Sequence, residues 1–387
     1  MISQPSPAAV LVVDDGRSAT GLAVIRELAR GGHRVGLATA LPRSFVARSR
    51  FVSACHELPA ARHDLQGFLV AVAGAAAEYD LVIPTGDVEV LALAAGREQI
   101  PAELAVAEHA SLVRLLDKLE LSHAAAQAGV PSPRTWPAAH LPADAPEWLA
   151  LKPRLHWHPE HPGAGTEPTR ILDRSAVASR AAGSELFVAQ ELVRGSLTAL
   201  VLVLDRDGRV VGRHQQVADT VYPAGAGNCV RGRTVPVDEA RVEDARRLLS
   251  AVGFWGLVQL EYVESPGEPP ALVDVNPRPY GSMGLAVAAG LAPSLALVDV
   301  ALRRPCTPRE SRAGQTYSSL GLDLRRALAS REGGLLSDVG HTLRLARPAA
   351  HAVWDPDDRK PATAQWRLTS RRLARRLIRG AATTAPG

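Results

Sequence analysis

Lysine is almost missing from this chain. Of its 44 basic residues only Lys118, Lys152 and Lys360 are lysines, and arginine serves nearly everywhere else. A lysine kept in such a background is a candidate for work that needs a compact ammonium, such as reaching a phosphate oxygen. Codon bias with three survivors explains the count equally well on number alone. Cysteine is as scarce: Cys55, Cys229 and Cys306 are far apart and odd in number. That argues against a disulfide framework or a zinc ribbon and suits a reducing cytoplasm, the expected location. No apolar run reaches the roughly 18–20 residues that cross a bilayer. The opening MISQPSPAAVLVVDDGR lacks the basic n-region of a secretory signal and reaches Asp14 too soon. A general basic surface is missing too. Residues 359–379 hold eight Lys/Arg and no acid, so removing those eight charges from the net +4 leaves −4 on the rest. Nucleic acid is therefore not an expected partner.

What is present is an ordinary globular composition, 46% hydrophobic and 22% charged, in a chain whose 387 residues suggest two or three domains. AAVLVVDDG (8–16) reads as a buried parallel strand opening into a glycine turn, and Leu22, Ile25, Leu28 and Ala29 follow at helical spacing. RVGLAT, DLQGFLVAVAGAAAE, DLVIPTGD and VEVLALAAGREQ continue the alternation of strand and helix. This is the pattern of an α/β domain with a doubly wound parallel sheet, placed at residues 1–107. Its first turn, DDGRSATG, is not the GxGxxG fingerprint. A plain chain reversal is the first expectation there, and an anion or substrate site the second.

From residue 108 the texture changes to α+β, with strands paired as hairpins and helices between them. LTALVLVLDRDGRVVGRHQQV is one hairpin, turning at DRDG. WGLVQLEYVESPGEPPALVDVNPR is a second, and it carries the chemistry. Asp274 and Asn276 are two apart and share a strand face, and antiparallel pairing brings Glu261 to the same face. Oxygen ligands without His or Cys select Mg²⁺ or Mn²⁺ over zinc. Gln259 lies on Glu261's face as a further possible ligand. A hairpin with a solvated polar side explains Glu261 but leaves Asn276-Pro277-Arg278 unexplained.

Those residues resemble the ATP-grasp superfamily, whose metal strand ends in an acidic residue, one spacer, then Asn-Pro-Arg. The likeness runs from about 8 to 303. The DK pair at 117–118 before AGVPSPRT, LALKPR around Lys152, VAQELVRG, and YPAGAGN through GFWGLVQLEYV all find counterparts. IPTGD and SRFVS resemble segments of predicted ATP-dependent carboxylate ligases. The resemblance implies a two-lobed ATP-grasp domain at 108–305. Lys118 and Lys152 would contact nucleotide phosphates, and Gln190, Glu191 and the backbone of Leu192 and Val193 would hold adenine. Glu261, Asp274 and Asn276 would hold the metal, and Arg278 would stabilise an acyl phosphate. The implied activity is ATP-dependent amide or peptide-bond formation between a small carboxylate and an amine, releasing ADP and phosphate. A non-catalytic ATP-binding module is the alternative, and a Rossmann oxidoreductase the weaker third.

The chain departs from that pattern in places. Asp274 stands where glutamate is usual, and Thr198 where a ribose-binding carboxylate is common. The loop after Lys152, HWHPEHPGAGT, reads as a mobile lid, with zinc at His156, His158, Glu160 and His161 a remote option. Arg231 and Arg233 in YPAGAGNCVRGR, with Arg213, are candidates to line the acceptor side; a surface loop is the equal alternative. Residues 306–387 form a basic C-terminal extension with Trp366, Leu373 and Leu377 along one side of a helix. Packing on the body is expected there, with an anionic membrane surface or a partner as the sharper option.

Overall fold

The computed structural model describes residues 6–157, 159, 165–223, 227–330 and 335–367. The first sheet is wholly parallel, with β1 (Ala9–Val13), β2 (Arg34–Thr39), β3 (Ala54–Glu57), β4 (Leu81–Pro84) and β5 (Glu103–Leu104) in the order β3-β2-β1-β4-β5. Helices α1 (Thr20–Arg30), α2 (Leu65–Ala76) and α3 (Asp87–Ala95) cross between them. β1 is almost entirely buried, as a strand covered on both faces must be. Strand order reverses between β1 and β4, so a crevice opens beyond their C-terminal ends. Both expected polar turns, after β1 and after β4, sit at that point.

Two helices, α4 (His109–Leu116) and α5 (Lys118–Gln127), lead onward. Asp117 between them caps α5, accepting from the N–H groups of Leu119 at 2.9 Å and Glu120 at 3.3 Å. A small antiparallel sheet follows, β6 (Thr135–Pro137), β7 (Trp148–Pro153), β8 (Arg170–Asp173) and β9 (Phe187–Glu191), ordered β6-β9-β7-β8, with α6 (Arg174–Arg180) packed on it. The larger sheet has eight strands: β10 (Ser196–Leu204), β11 (Val210–Tyr222), β12 (Asn228–Val235), β13 (Gly256–Glu264), β14 (Ala271–Asn276), β15 (Arg309–Glu310), β16 (Thr316–Ser318) and β17 (Ala350–His351). Both expected hairpins are there, β10 with β11 and β13 with β14. Helices α7 (Glu239–Ala251), α8 (Met283–Ala288), α9 (Pro293–Ala301), α10 (Leu320–Ser330) and α11 (Leu335–Ala346) complete the chain, with a helical stretch at 360–367.

The stretch after residue 305 adds β15, β16 and β17 to the large sheet, β16 pairing with β12. Without it β12 would present an open edge. Its far end docks on the first domain. The buried Asp358 carboxylate accepts from Arg26 Nε at 3.0 Å, Ser49 Oγ at 2.7 Å and the Arg50 N–H at 2.9 Å. Leu373 and Leu377 lie outside the described residues. A second tie joins α1 to α9, whose N-terminus has no side-chain cap of its own. Glu27 supplies one, accepting from the Ser294 N–H at 2.9 Å, the Leu295 N–H at 3.3 Å and the Ser294 hydroxyl at 2.7 Å. The buried apolar residues form one core spanning the parallel sheet and the large sheet. A separate small core (Ala138, Leu149, Leu151, Val177, Ala181 and Ala189) belongs to the four-stranded sheet.

Candidate active site

The hairpin register sets the site. Gln259 pairs with Asn276 and Glu261 with Asp274, so four oxygen-bearing side chains stand on one face of adjacent strands. Lys118, the first residue of α5, reaches in from one side, and its ammonium forms a close ion pair with the Asp274 carboxylate. Asp117 fixes that approach twice, by capping the helix and by accepting from Arg154 Nε at 2.7 Å. Lys152 reaches in from β7. Its Nζ donates to Gln190 Oε1 at 2.7 Å and to the Val273 carbonyl at 3.4 Å. Two of the three lysines thus converge on one strand, although they lie on different sheets and helices.

The electrostatics follow from burial. Desolvation pushes the Lys152 ammonium down to about 8, with Lys118 adding to the fall and Asp274 and Glu261 opposing it. Burial, then the neighbouring Asp274, pushes the Glu261 carboxyl up to about 7 against the pull of Lys118 and Lys152. Asp274 moves the opposite way: burial opposes its charge, but Lys118 and the other nearby cations hold its carboxyl below the usual range. Among the described residues, Glu261 makes no hydrogen bond or ion pair of its own.

Gln190 sits where expected, on β9, but its carboxamide is spent on Lys152 and on Thr135 Oγ1 at 3.1 Å. The Glu191 carboxylate faces Arg134 at 3.4 Å, and Leu192 and Val193 follow, half-buried. Arg278 donates to Asn276 Oδ1 at 3.0 Å and pairs closely with Asp87. Asp87 also takes His156 Nδ1 at 2.5 Å. Burial alone would raise the Asp87 carboxyl, but Arg278 and His156 hold it well below the usual range.

Asp87 and His156 are functional candidates that residue-by-residue inference passed over. Asp87 ends IPTGD, which carried a signal only as part of a resemblance. His156 stood out merely as one member of a histidine-rich loop. The other members, His158, Glu160 and His161, lie outside the described residues. Among the described residues no group of three or more His, Cys, Asp and Glu is placed to hold a metal.

Beside this cluster lies a cavity of about 500 Å³. Its walls include Gln259, Glu261, Asn276 and Arg278 from the β13–β14 hairpin and its exit. Lys118, Lys152 and Asp274 stand outside it. From the first domain come Asp15, Arg17 and Thr20 of the DDGRSATG turn and Thr85 and Gly86. That turn therefore faces the site. Its shape is fixed by Asp14, whose carboxylate accepts from the Gly16 N–H at 2.7 Å, the Gly21 N–H at 3.1 Å and the Thr85 hydroxyl at 2.6 Å. Gly16 adopts φ 75°, and a Cβ on Gly21 would collide with that carboxylate. The far wall was not foreseen. Tyr317, Leu322, Arg325 and Val353 come from the C-terminal stretch.

The three candidate arginines go elsewhere. Arg231 pairs with the fully buried Asp323 at 3.2 Å, Arg233 with Asp219, and Arg213 with Glu239 and Glu310, so none lines the cavity. Each sits on a strand whose neighbours offer a carboxylate, which sequence spacing does not reveal. Thr198 does line it, but its hydroxyl donates to Glu264 Oε1 at 2.9 Å.

Residues 115–282 match the family described as ATP-grasp domain. No curated protein matches the chain in sequence. Among solved structures, N5-carboxyaminoimidazole synthetase from Staphylococcus aureus superposes with a TM-score of 0.65 at 10% identity, covering 86% of this chain and 88% of that one. L-amino acid ligase from Bacillus licheniformis gives 0.59 at 15% identity over 80% and 79%. Pyruvate carboxylase from Rhizobium etli gives 0.61 at 15% identity over 80% of this chain, which spans only 30% of that enzyme. At such identities the likeness establishes a shared fold.

Proposed function

We propose that this chain, whose residues 115–282 match the ATP-grasp domain family, is an ATP-dependent carboxylate–amine ligase. It would form an amide or peptide bond through an acyl phosphate and release ADP and phosphate. One observation carries this reading: Glu261, Asn276 and Arg278 line one cavity from a single hairpin and its exit, while Lys118 and Lys152, from a helix and a second sheet, close on Asp274 and the Val273 carbonyl beside it.

Glu261, Asp274 and Asn276 would hold Mg²⁺ or Mn²⁺, with Gln259 within reach. The donor set fits a hard cation, being all oxygen, and the Glu261 carboxylate is half-buried and unpartnered among the described residues, with its proton affinity raised to about 7. When bound, the metal neutralises charge on the β- and γ-phosphates. Lys118 and Lys152 add fixed positive charge there, and a nucleotide phosphate replaces the solvent that burial has taken from Lys152. Gln190, Glu191 and the backbone at Leu192 and Val193 edge the adenine. Arg278, aimed by Asp87 and Asn276, stabilises the acyl phosphate and the tetrahedral species formed on amine attack. A carboxylate is already a nucleophile, so the first step needs no base. The small carboxylate and amine occupy the cavity of about 500 Å³. No helix among the described residues is long and apolar enough to cross a membrane, and with three free cysteines we assign the enzyme to the cytoplasm.

The test is ADP release from Mg-ATP against pooled carboxylates and amines, for wild type and Lys152→Ala. ADP formed by the wild type alone, and only with certain pools, supports the ligase. Tight ATP binding without ADP from any pool favours the binding module. AMP and pyrophosphate would replace the acyl-phosphate mechanism with adenylation.

A further inference from the structure

A second cavity, of about 330 Å³, lies against the first. Six residues line both: Ser319, Gly321, Arg325, Ala352, Val353 and Gln365. The two therefore adjoin along a shared wall, and their far ends differ chemically. The first end carries Glu261, Asn276 and Arg278. The second is walled by Leu320, Leu324 and Leu328 of α10, Val339 of α11, Trp354, and Trp366 of the helical stretch at 360–367.

Leu328, Trp354 and Trp366 are 38%, 47% and 50% exposed, although large apolar side chains at an ordinary domain seam would close on one another. Apolar walls take apolar ligands, and an enclosed apolar cavity of about 150 Å³ admits benzene. Twice that volume suits a bicyclic ring or an alkyl chain of roughly eight to ten carbons.

We propose that one of the two ligated substrates is amphiphilic, with its reacting polar group in the first cavity and an apolar group of that size in the second. The assignment of the polar end rests on the ligase reading; the apolar pocket stands on its own walls and the six residues it shares with the first cavity. Arg325 and Gln365 belong to the shared wall, where the substrate would change from polar to apolar.

Two measurements test this, one of which needs no turnover. α-Amino acids offer a carboxylate and an amine together, so ADP release is measured with alanine, leucine and tryptophan. The expected kcat/KM rises about 100-fold from alanine to tryptophan. Val339→Trp, at a residue that lines the second cavity and not the first, lowers that tryptophan-to-alanine ratio by at least about tenfold. Separately, 2-naphthoate is titrated calorimetrically into the protein without nucleotide. Its Kd is expected to weaken about tenfold in Val339→Trp and again in Leu324→Ala, which removes wall contacts instead of adding bulk. Naphthoate binding of this kind with no ADP from these amino acids or from any pooled carboxylate and amine would keep the pocket and end the ligase reading. Naphthoate binding alike to wild type and both variants, or not at all, overturns the assignment.

Discussion

Glu27→Gln is expected to stabilise this protein at pH 8 and to leave it unchanged at pH 4.5. Glu27 is fully buried beneath the N-terminus of α9, and desolvation pushes its carboxyl from 4.5 up to about 7 despite the bonds from Ser294 and Leu295. Between those values the folded chain binds more protons than the unfolded one, so stability falls as pH rises. The contribution of protonated Glu27 is complete below 4.5 and gone once pH passes about 7. A shift of that size corresponds to about 3 kcal/mol. The positive end of α9 favours the charged form by about 0.5–1 kcal/mol and reduces the effect without reversing it. Glutamine imitates the neutral acid closely. Its Oε1 accepts from the two backbone N–H groups, and its Nε2 donates to the Ser294 hydroxyl. The assay is thermal unfolding of wild type and variant across pH 4.5–8.5, read as the difference between the two Tm values at each pH. With several domains this comparison is sounder than an absolute unfolding free energy. The difference should open through pH 5–7 and then stay constant. Parallel profiles, or a variant less stable at pH 8, would refute the reasoning, because the carboxylate would then be working as an ionised cap.

Other outcomes follow from the same geometry. Asp358→Ala leaves buried Arg26 with only the Asp355 carboxylate at 4.0 Å and a backbone carbonyl at 2.9 Å, so it should cost about 3 kcal/mol and open residues 350–367 to limited proteolysis. Asp87→Asn should lower ADP formation about 10–100-fold through loss of Arg278 orientation, while the Kd for ATP moves less than about threefold. An equal loss of ATP affinity would instead place Asp87 in nucleotide binding. Gly21→Ala forces a Cβ onto the Asp14 carboxylate and should lower stability by about 1–3 kcal/mol, seen as a reduced Tm.

The parallel sheet was legible because β1 and β4 are uninterrupted apolar runs bounded by turn residues, and the hairpins because alternation and DRDG mark them. The face shared by Glu261, Asp274 and Asn276 was legible because strand periodicity is strict. Lys152 and Gln190 were singled out separately, but not as partners, since their contact depends on the pairing of β7 with β9. Asp87 and His156 were illegible for the same reason. They meet through tertiary packing across 69 positions, and nothing local to either residue announces the other. The wall contributed by Tyr317, Arg325 and Val353 escaped notice because short strands such as β16 and β17 carry no periodicity to read.

The division of the apolar residues into two cores bears on how a nucleotide would be taken up. The four-stranded sheet has its own small core, while the other two sheets share theirs, so rotating it as a unit would break polar contacts such as Arg154 with Asp117 and not a common apolar core. That unit carries Lys152, whose hydrogen bond to the Val273 carbonyl spans the seam between the two bodies. Swinging it outward returns the ammonium to water and restores its ordinary basicity; swinging it back removes that water and lowers its proton affinity to about 8. Closure without an anion is therefore opposed by the lysine itself, and a phosphate in the seam removes the opposition. The dehydrated lysine thus ties the energy of this seam to the charge it holds, through solvation and not through shape.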